Sequence, residues 1–269
     1  MVIEEEEVMA VEKTAILFGR RIFGLGAMAL GLLSLAWGDF LTGQPVPSGF
    51  PGRTALAYAA GALTLFAGAA IEWRKTAAWG AAALTAYYGV IVILLMNGHL
   101  LLTQYAQYGS YENLAEQVAI ASGALILYAA TARIDAAFSA RLTRLGQLAF
   151  GLSALVFGGA HFVYMNLTAP LVPKWLPPSQ VFWGYATGSC FLAAGLALLT
   201  GIRARLAAIL LTVMIASFAI LIHEPTLFAD PHSRFNWSES IINFTIIGSA
   251  WVLADSLARS GRPRSPQSA

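Results

Sequence analysis

The chain has 269 residues, 58% of them hydrophobic and 11% charged, with a mean hydropathy of +0.66. Those values exclude a soluble domain of this size and leave a polytopic membrane protein, with apolar residues enough for eight spans of about 20 residues each. The net charge of +2 comes from small basic groups at the ends of apolar runs, which the positive-inside rule explains and which points to no nucleic acid partner.

Residues 1–14 begin MVIEEEEVMAVEK, an acidic start with no small-residue cleavage site before the first apolar run. This segment reads as a flexible cytoplasmic tail and not as a signal peptide. Arg20 and Arg21 then introduce the first predicted span, 22–42, which meets a proline and glycine loop, GQPVPSGFPGR. The second span, 55–72, stops at Glu72, Trp73, Arg74 and Lys75, and the third covers 77–103. A polar aromatic segment, TQYAQYGSYEN, separates it from the fourth span at 115–132.

The stretch RIDAAFSARLTR, within a connector at 133–145, is the most charged internal segment and the predicted boundary between halves. Span five follows at 146–167 and ends in a second proline loop, TAPLVPKWLPPSQ. Spans six and seven form a hairpin over 182–223, joined through Arg203 and Arg205. Span eight covers 241–258, and a basic tail, 259–269, closes the chain.

Thirteen of the 16 Lys and Arg residues fall on one side of this alternation; only Arg53, Lys174 and Arg234 lie in opposite loops. Both termini are therefore expected in the cytoplasm, with the chain multi-pass in the plasma membrane and the lipid bilayer as its surroundings.

The fold expected is all-α, with eight transmembrane helices as two parallel four-helix repeats, 15–132 and 146–258. Aligning the first helices at an offset of 122 places Gly24 on Gly146 and Asp39 on His161, whereas the second helices align at 127, with Tyr58, Gly61 and Gly68 on Tyr185, Gly188 and Gly195. Each half has an even number of spans, so the copies run parallel. Their glycine faces suit close helix packing.

Counting 1.5 Å per residue from the basic helix ends places Asp39, Glu116, His161 and His223 at one level near the external edge of the hydrocarbon core. His99 and Glu239 come slightly higher. Ionisable groups at such depth face partners or water, and histidine with carboxylates can carry protons. Asp39, His161, His223 and Glu116 are thus the catalytic candidates, and His99 and Glu239 the cofactor-binding candidates. The competing reading is that these residues merely reach external water.

No metal is expected: zinc lacks cysteine ligands and local spacing, and no span carries a histidine pair for haem. No Gly-x-Ser-x-Gly elbow is present. Cys190, the single cysteine, excludes an intrachain disulfide and reads as a small packing residue. Trp73, Tyr108, Tyr111, Trp175, Trp183 and Trp237 read as an interfacial belt.

The second half resembles the DoxX-like family of small four-helix membrane proteins. The resemblance rests on RLGQLAFGLSALVFGGAHF, on the glycine-bearing helix running into Gly201-x-Arg203, on the histidine ending the next helix, and on INFTIIGSAWVLAD. The first half is similar to a diverged copy, with Asp39 in place of His161. The resemblance implies a membrane subunit or anchor of a quinone-linked redox system, with a quinone as cofactor and an oxidoreductase subunit as partner. It implies no catalytic motif. A small-solute transporter or channel, and a structural scaffold without catalysis, are the alternatives.

Overall fold

The structure is a computed structural model and describes residues 2–260. It is all-helical, and among the described residues eight helices are long and apolar enough to cross a membrane. They are α1 (Val2–Trp37), α2 (Arg53–Glu72), α3 (Ala77–Gln104), α4 (Tyr108–Thr131), α5 (Ala136–Val163), α6 (Gln180–Thr200), α7 (Ala204–Ala229) and α8 (Arg234–Ser260).

Local chemistry explains the boundaries that differ from expectation. The acidic head joins α1 instead of forming a flexible tail, since Glu, Met, Ala and Lys are strong helix formers. The helix then stops at Trp37, because Gly38 takes a left-handed φ of 61° and ends it, leaving Asp39 in a loop and not inside a span. Asp135 caps α5 by accepting from the amides of Ala137 and Phe138 at 2.9 and 3.0 Å. Most of the expected connector at 133–145 therefore forms the first turns of α5. The polar segment before span four is likewise helical from Tyr108, so Glu112 shares α4 with Glu116. The far end of the basic tail, beyond residue 260, lies outside the described residues.

Consecutive helices are neighbours around the bundle, α8 returns to α1, and α4 crosses α8. At one end Phe18 of α1 meets Trp251 of α8 with ring centroids 5.2 Å apart, and Arg20 reaches the Glu72 carbonyl. At the other, Arg234 at the start of α8 meets Asp39. Large apolar side chains such as Phe66, Trp79, Leu94 and Ile220 point outward, a surface suited to lipid and not to water.

The tightest packing lies where α1 crosses α2 and α5 crosses α6. A Cβ on Gly31 would lie 2.4 Å from the Leu65 amide and 2.6 Å from the Gly61 carbonyl, so only glycine allows that approach. Gly24 meets Gly68 in the same way, while Gly151 meets Gly195 and Gly158 meets Gly188. All four glycines of the first crossing precede their counterparts by 127 residues. An offset of 127 thus relates Gly24 to Gly151 and Gly31 to Gly158, as it does Gly61 to Gly188 and Gly68 to Gly195.

Candidate functional site

A cavity of about 250 Å³ lies among α4, α5, α6, α7 and α8. Glu112, Glu116, His161, His223, Glu239 and Asn243 supply its polar lining. The remaining walls are largely apolar and include Phe157, Phe191 and Phe218.

His161 reaches this cavity because α5 and α6 come close. Gly158 and Gly188 remove two side chains at the crossing, and a Cβ on Gly188 would stand 2.7 Å from the His161 Cβ. The imidazole Nδ1 lies 2.9 Å from the Phe157 carbonyl. A carbonyl can only accept, so Nδ1 carries the proton and Nε2 is the ring nitrogen left for a ligand. Phe191 and Phe218 flank the ring at centroid distances of 5.6 and 6.4 Å.

His223 comes from α7, where residues Ala219–His223 form a π-helical segment. The wider turn rotates the residues that follow relative to a regular helix, a device frequent at functional sites. Glu112 and Glu116 stand one turn apart on α4 and hence on one face. Among the described residues, no hydrogen bond reaches the side chains of Glu112, Glu116 or His223, although the Thr226 hydroxyl donates to the His223 carbonyl at 2.8 Å. Glu239 accepts from the Thr42 hydroxyl at 2.9 Å. One turn along α8, the buried Oδ1 of Asn243 has no hydrogen-bond partner.

The cavity thus unites Glu116, His161, His223 and Glu239, four of the six residues singled out from the sequence. Asp39 and His99 lie elsewhere. The Asp39 carboxylate meets Arg53 at 2.7 Å and Arg234 at 3.2 Å, and one of its oxygens accepts from the Phe40 amide at 2.8 Å. Partial burial works to raise its pKa, but the Phe40 amide, Arg234 and Arg53 together outweigh it and hold the carboxyl below its ordinary value. A carboxylate held this way anchors loops and is poorly suited to exchanging protons. His99, near the end of α3, is exposed and away from the cavity.

Glu112 and Asn243 were missed by sequence reasoning. Glu112 lies in the polar segment before the expected start of span four, and its i, i+4 spacing to Glu116 is the signal that finds it. Asn243 shares a face with Glu239 by the same spacing, but as a neutral amide it drew no notice. Cys190 is exposed on α6 and not packed inside. Among the described residues no three His, Cys, Asp or Glu side chains come together in a way that could hold a metal ion.

The region among α1 to α4 has a different lining. Asn97, fully buried on α3, donates to the Gly43 and Val92 carbonyls at 3.2 and 2.9 Å. Asn113 donates to the Asn97 Oδ1 at 2.6 Å. Ser34 donates to the carbonyls of Asp39 and Ala57. Asn97 and Asn113 are thus paired amides, whereas the buried Nε2 of Gln117 beside Gly43 has no hydrogen-bond partner.

No family model matches the chain, and neither a curated protein nor a solved structure matches it.

Proposed function

We propose that the chain is a membrane subunit of a quinone-linked redox system, with the quinone head seated in the cavity of Glu112, Glu116, His161, His223 and Glu239. The carrying observation is that cavity: proton-exchanging side chains from four helices converge on a space lined otherwise by apolar groups. Its volume of about 250 Å³ is below the usual range of about 300–1,000 Å³ for drug-sized ligands. It suits one ring and not a whole lipid.

The residues present fit such a group. His161 offers Nε2, the glutamates offer protons or accept them, and the unpaired Asn243 Oδ1 accepts a hydrogen bond from a hydroxyl. A bound quinone supplies two-electron, two-proton redox chemistry. The chain's own part is to orient the oxygens of the head, to exclude water through Phe157, Phe191 and Phe218, and to hold or release protons at His161 and the carboxyls. Electrons would pass to or from an oxidoreductase partner. The resemblance to DoxX-like proteins supports this assignment.

The halves read as parallel copies of one four-helix unit. The matching glycine crossings support that reading, and so do the two π-helical segments, Tyr87–Asn97 in α3 and Ala219–His223 in α7. In this reading the second copy carries the charged site, while the first retains a neutral counterpart in which Ser34, Asn97 and Asn113 serve packing. By the positive-inside rule, the end bearing Arg20 and Arg144 faces the cytoplasm and the cavity lies toward the external face of the plasma membrane.

The test is gentle purification followed by quantification of bound quinone for the wild type and for His161→Gln. Retention by the wild type with loss in the variant supports the function; absence of quinone binding in both contradicts it.

A further inference from the structure

A second space adjoins the cavity. An apolar groove of about 700 Å³ runs between α6 and α7, and it shares Val172, Thr187, Phe218 and Ile222 with the polar cavity. Beyond Trp183, its α6 wall is lined by small residues that include Ala186, Cys190, Ala193 and Ala197. The spacing of four, three and four puts them on one helix face. The opposite wall carries larger apolar side chains of α7, including Leu206, Leu210 and Met214, and the groove closes at Arg203.

We propose that this groove holds the polyprenyl chain of the quinone whose head occupies the cavity. The assignment rests on the function proposed above and adds the substrate class: a quinone with a long isoprenoid tail. Continuity with the cavity argues for one amphiphilic occupant, since polar and apolar compartments meet at four shared residues. Length argues for the kind of chain. From Ile222 to Leu206 along α7 the groove extends about 24 Å at 1.5 Å per residue, whereas one leaflet of a hydrocarbon core about 30 Å thick is about 15 Å deep. A phospholipid acyl chain anchored at the outer surface ends near the midplane. A polyprenyl chain continues to the Arg203 end.

Photo-crosslinking tests this. A quinone carrying a diazirine at the far end of a long isoprenoid chain is added to the purified full-length protein, and the crosslinked peptides are mapped by mass spectrometry. A phospholipid with the same group at its acyl terminus serves as the comparison. The expected result is crosslinking by the quinone to residues 203–214, with little from the phospholipid, and a reduction of about tenfold in the Ala193→Leu, Ala197→Leu double variant. Those residues face the groove, so leucines there fill it without touching the cavity.

Crosslinks spread over outward residues such as Phe66 and Trp79, or equal labelling of 203–214 by the phospholipid, overturn the proposal. A short-chain quinone separates the two claims. If it binds through His161 while the long-chain probe scatters, the groove assignment falls and the head site stands. If it fails to bind while the probe still maps to 203–214, the chain site stands and the redox function falls.

Discussion

Asp39 and Arg234 meet at 3.2 Å across 195 positions of sequence, and the same carboxylate holds Arg53 at 2.7 Å. One side chain thereby ties the loop after α1 to the first turns of α2 and α8. Arg234 also donates to the Phe40 carbonyl and lies over the Trp37 ring, which fixes it further. Five residues after Arg234, Glu239 at the rim of the cavity accepts from Thr42, three residues after Asp39 in the same loop. The clamp therefore positions one wall of the site without entering it.

Asp39→Asn is expected to destabilise the protein by about 1 kcal/mol near neutral pH, since it removes the charge from two partly exposed ion pairs. The native carboxyl lies below its ordinary value, so its contribution is present above the unfolded-state pKa, about 4. It is lost as pH falls through the lower folded value. Thermal unfolding in detergent from about pH 7 to pH 3 should show a steeper acid loss for the wild type than for the variant. Identical pH profiles would remove Asp39 from this role.

The glycine crossings predict a sharp contrast. Gly31→Ala places a methyl group against backbone atoms of Leu65 and Gly61 that cannot swing away, and a loss of about 1–3 kcal/mol is expected. Gly89→Ala meets nothing within 4 Å and should be neutral or slightly stabilising. Thermal melting of the two variants side by side checks the difference.

Much of the fold was legible because it depends on apolar runs about as long as a bilayer is thick. The eight spans follow from composition and from the placing of charges such as Arg74, Arg133 and Arg203. The ends of helices were not legible, because caps decide them. Asp135 started α5 early and Gly38 ended α1 early. That second boundary moved Asp39 out of the site. The grouping of Glu116, His161 and His223 was readable as a common depth, with Glu239 slightly higher, but depth on a helix says nothing about azimuth. His99 has a similar depth and lies elsewhere.

Asn97→Ala should destabilise the first four helices by about 1–3 kcal/mol, because it leaves the Gly43 carbonyl and the Asn113 amide with only their long mutual contact of 3.5 Å. Quinone binding by the second half should persist wherever the protein remains folded. Melting temperature and bound quinone, measured on the same preparation, check both parts.

His161→Gln and Glu116→Gln remove a proton-exchanging group while keeping most of the side-chain volume. Each should weaken binding of a short-chain quinone about tenfold, the effect of losing one good hydrogen bond of about 1.4 kcal/mol. His99→Gln, altering an exposed residue outside the cavity, should leave binding unchanged. Titration followed by tryptophan fluorescence gives the three affinities, and equal loss in all three would break the link to the cavity.

The most direct measurement is the stoichiometry of quinone bound to purified wild-type protein and to the His161→Gln, Glu116→Gln double variant, with melting temperatures confirming that both are folded. The predicted result is one quinone per wild-type chain and almost none in the variant. A folded wild type that takes up no quinone, or a double variant that binds as much as the wild type, would contradict the proposed function.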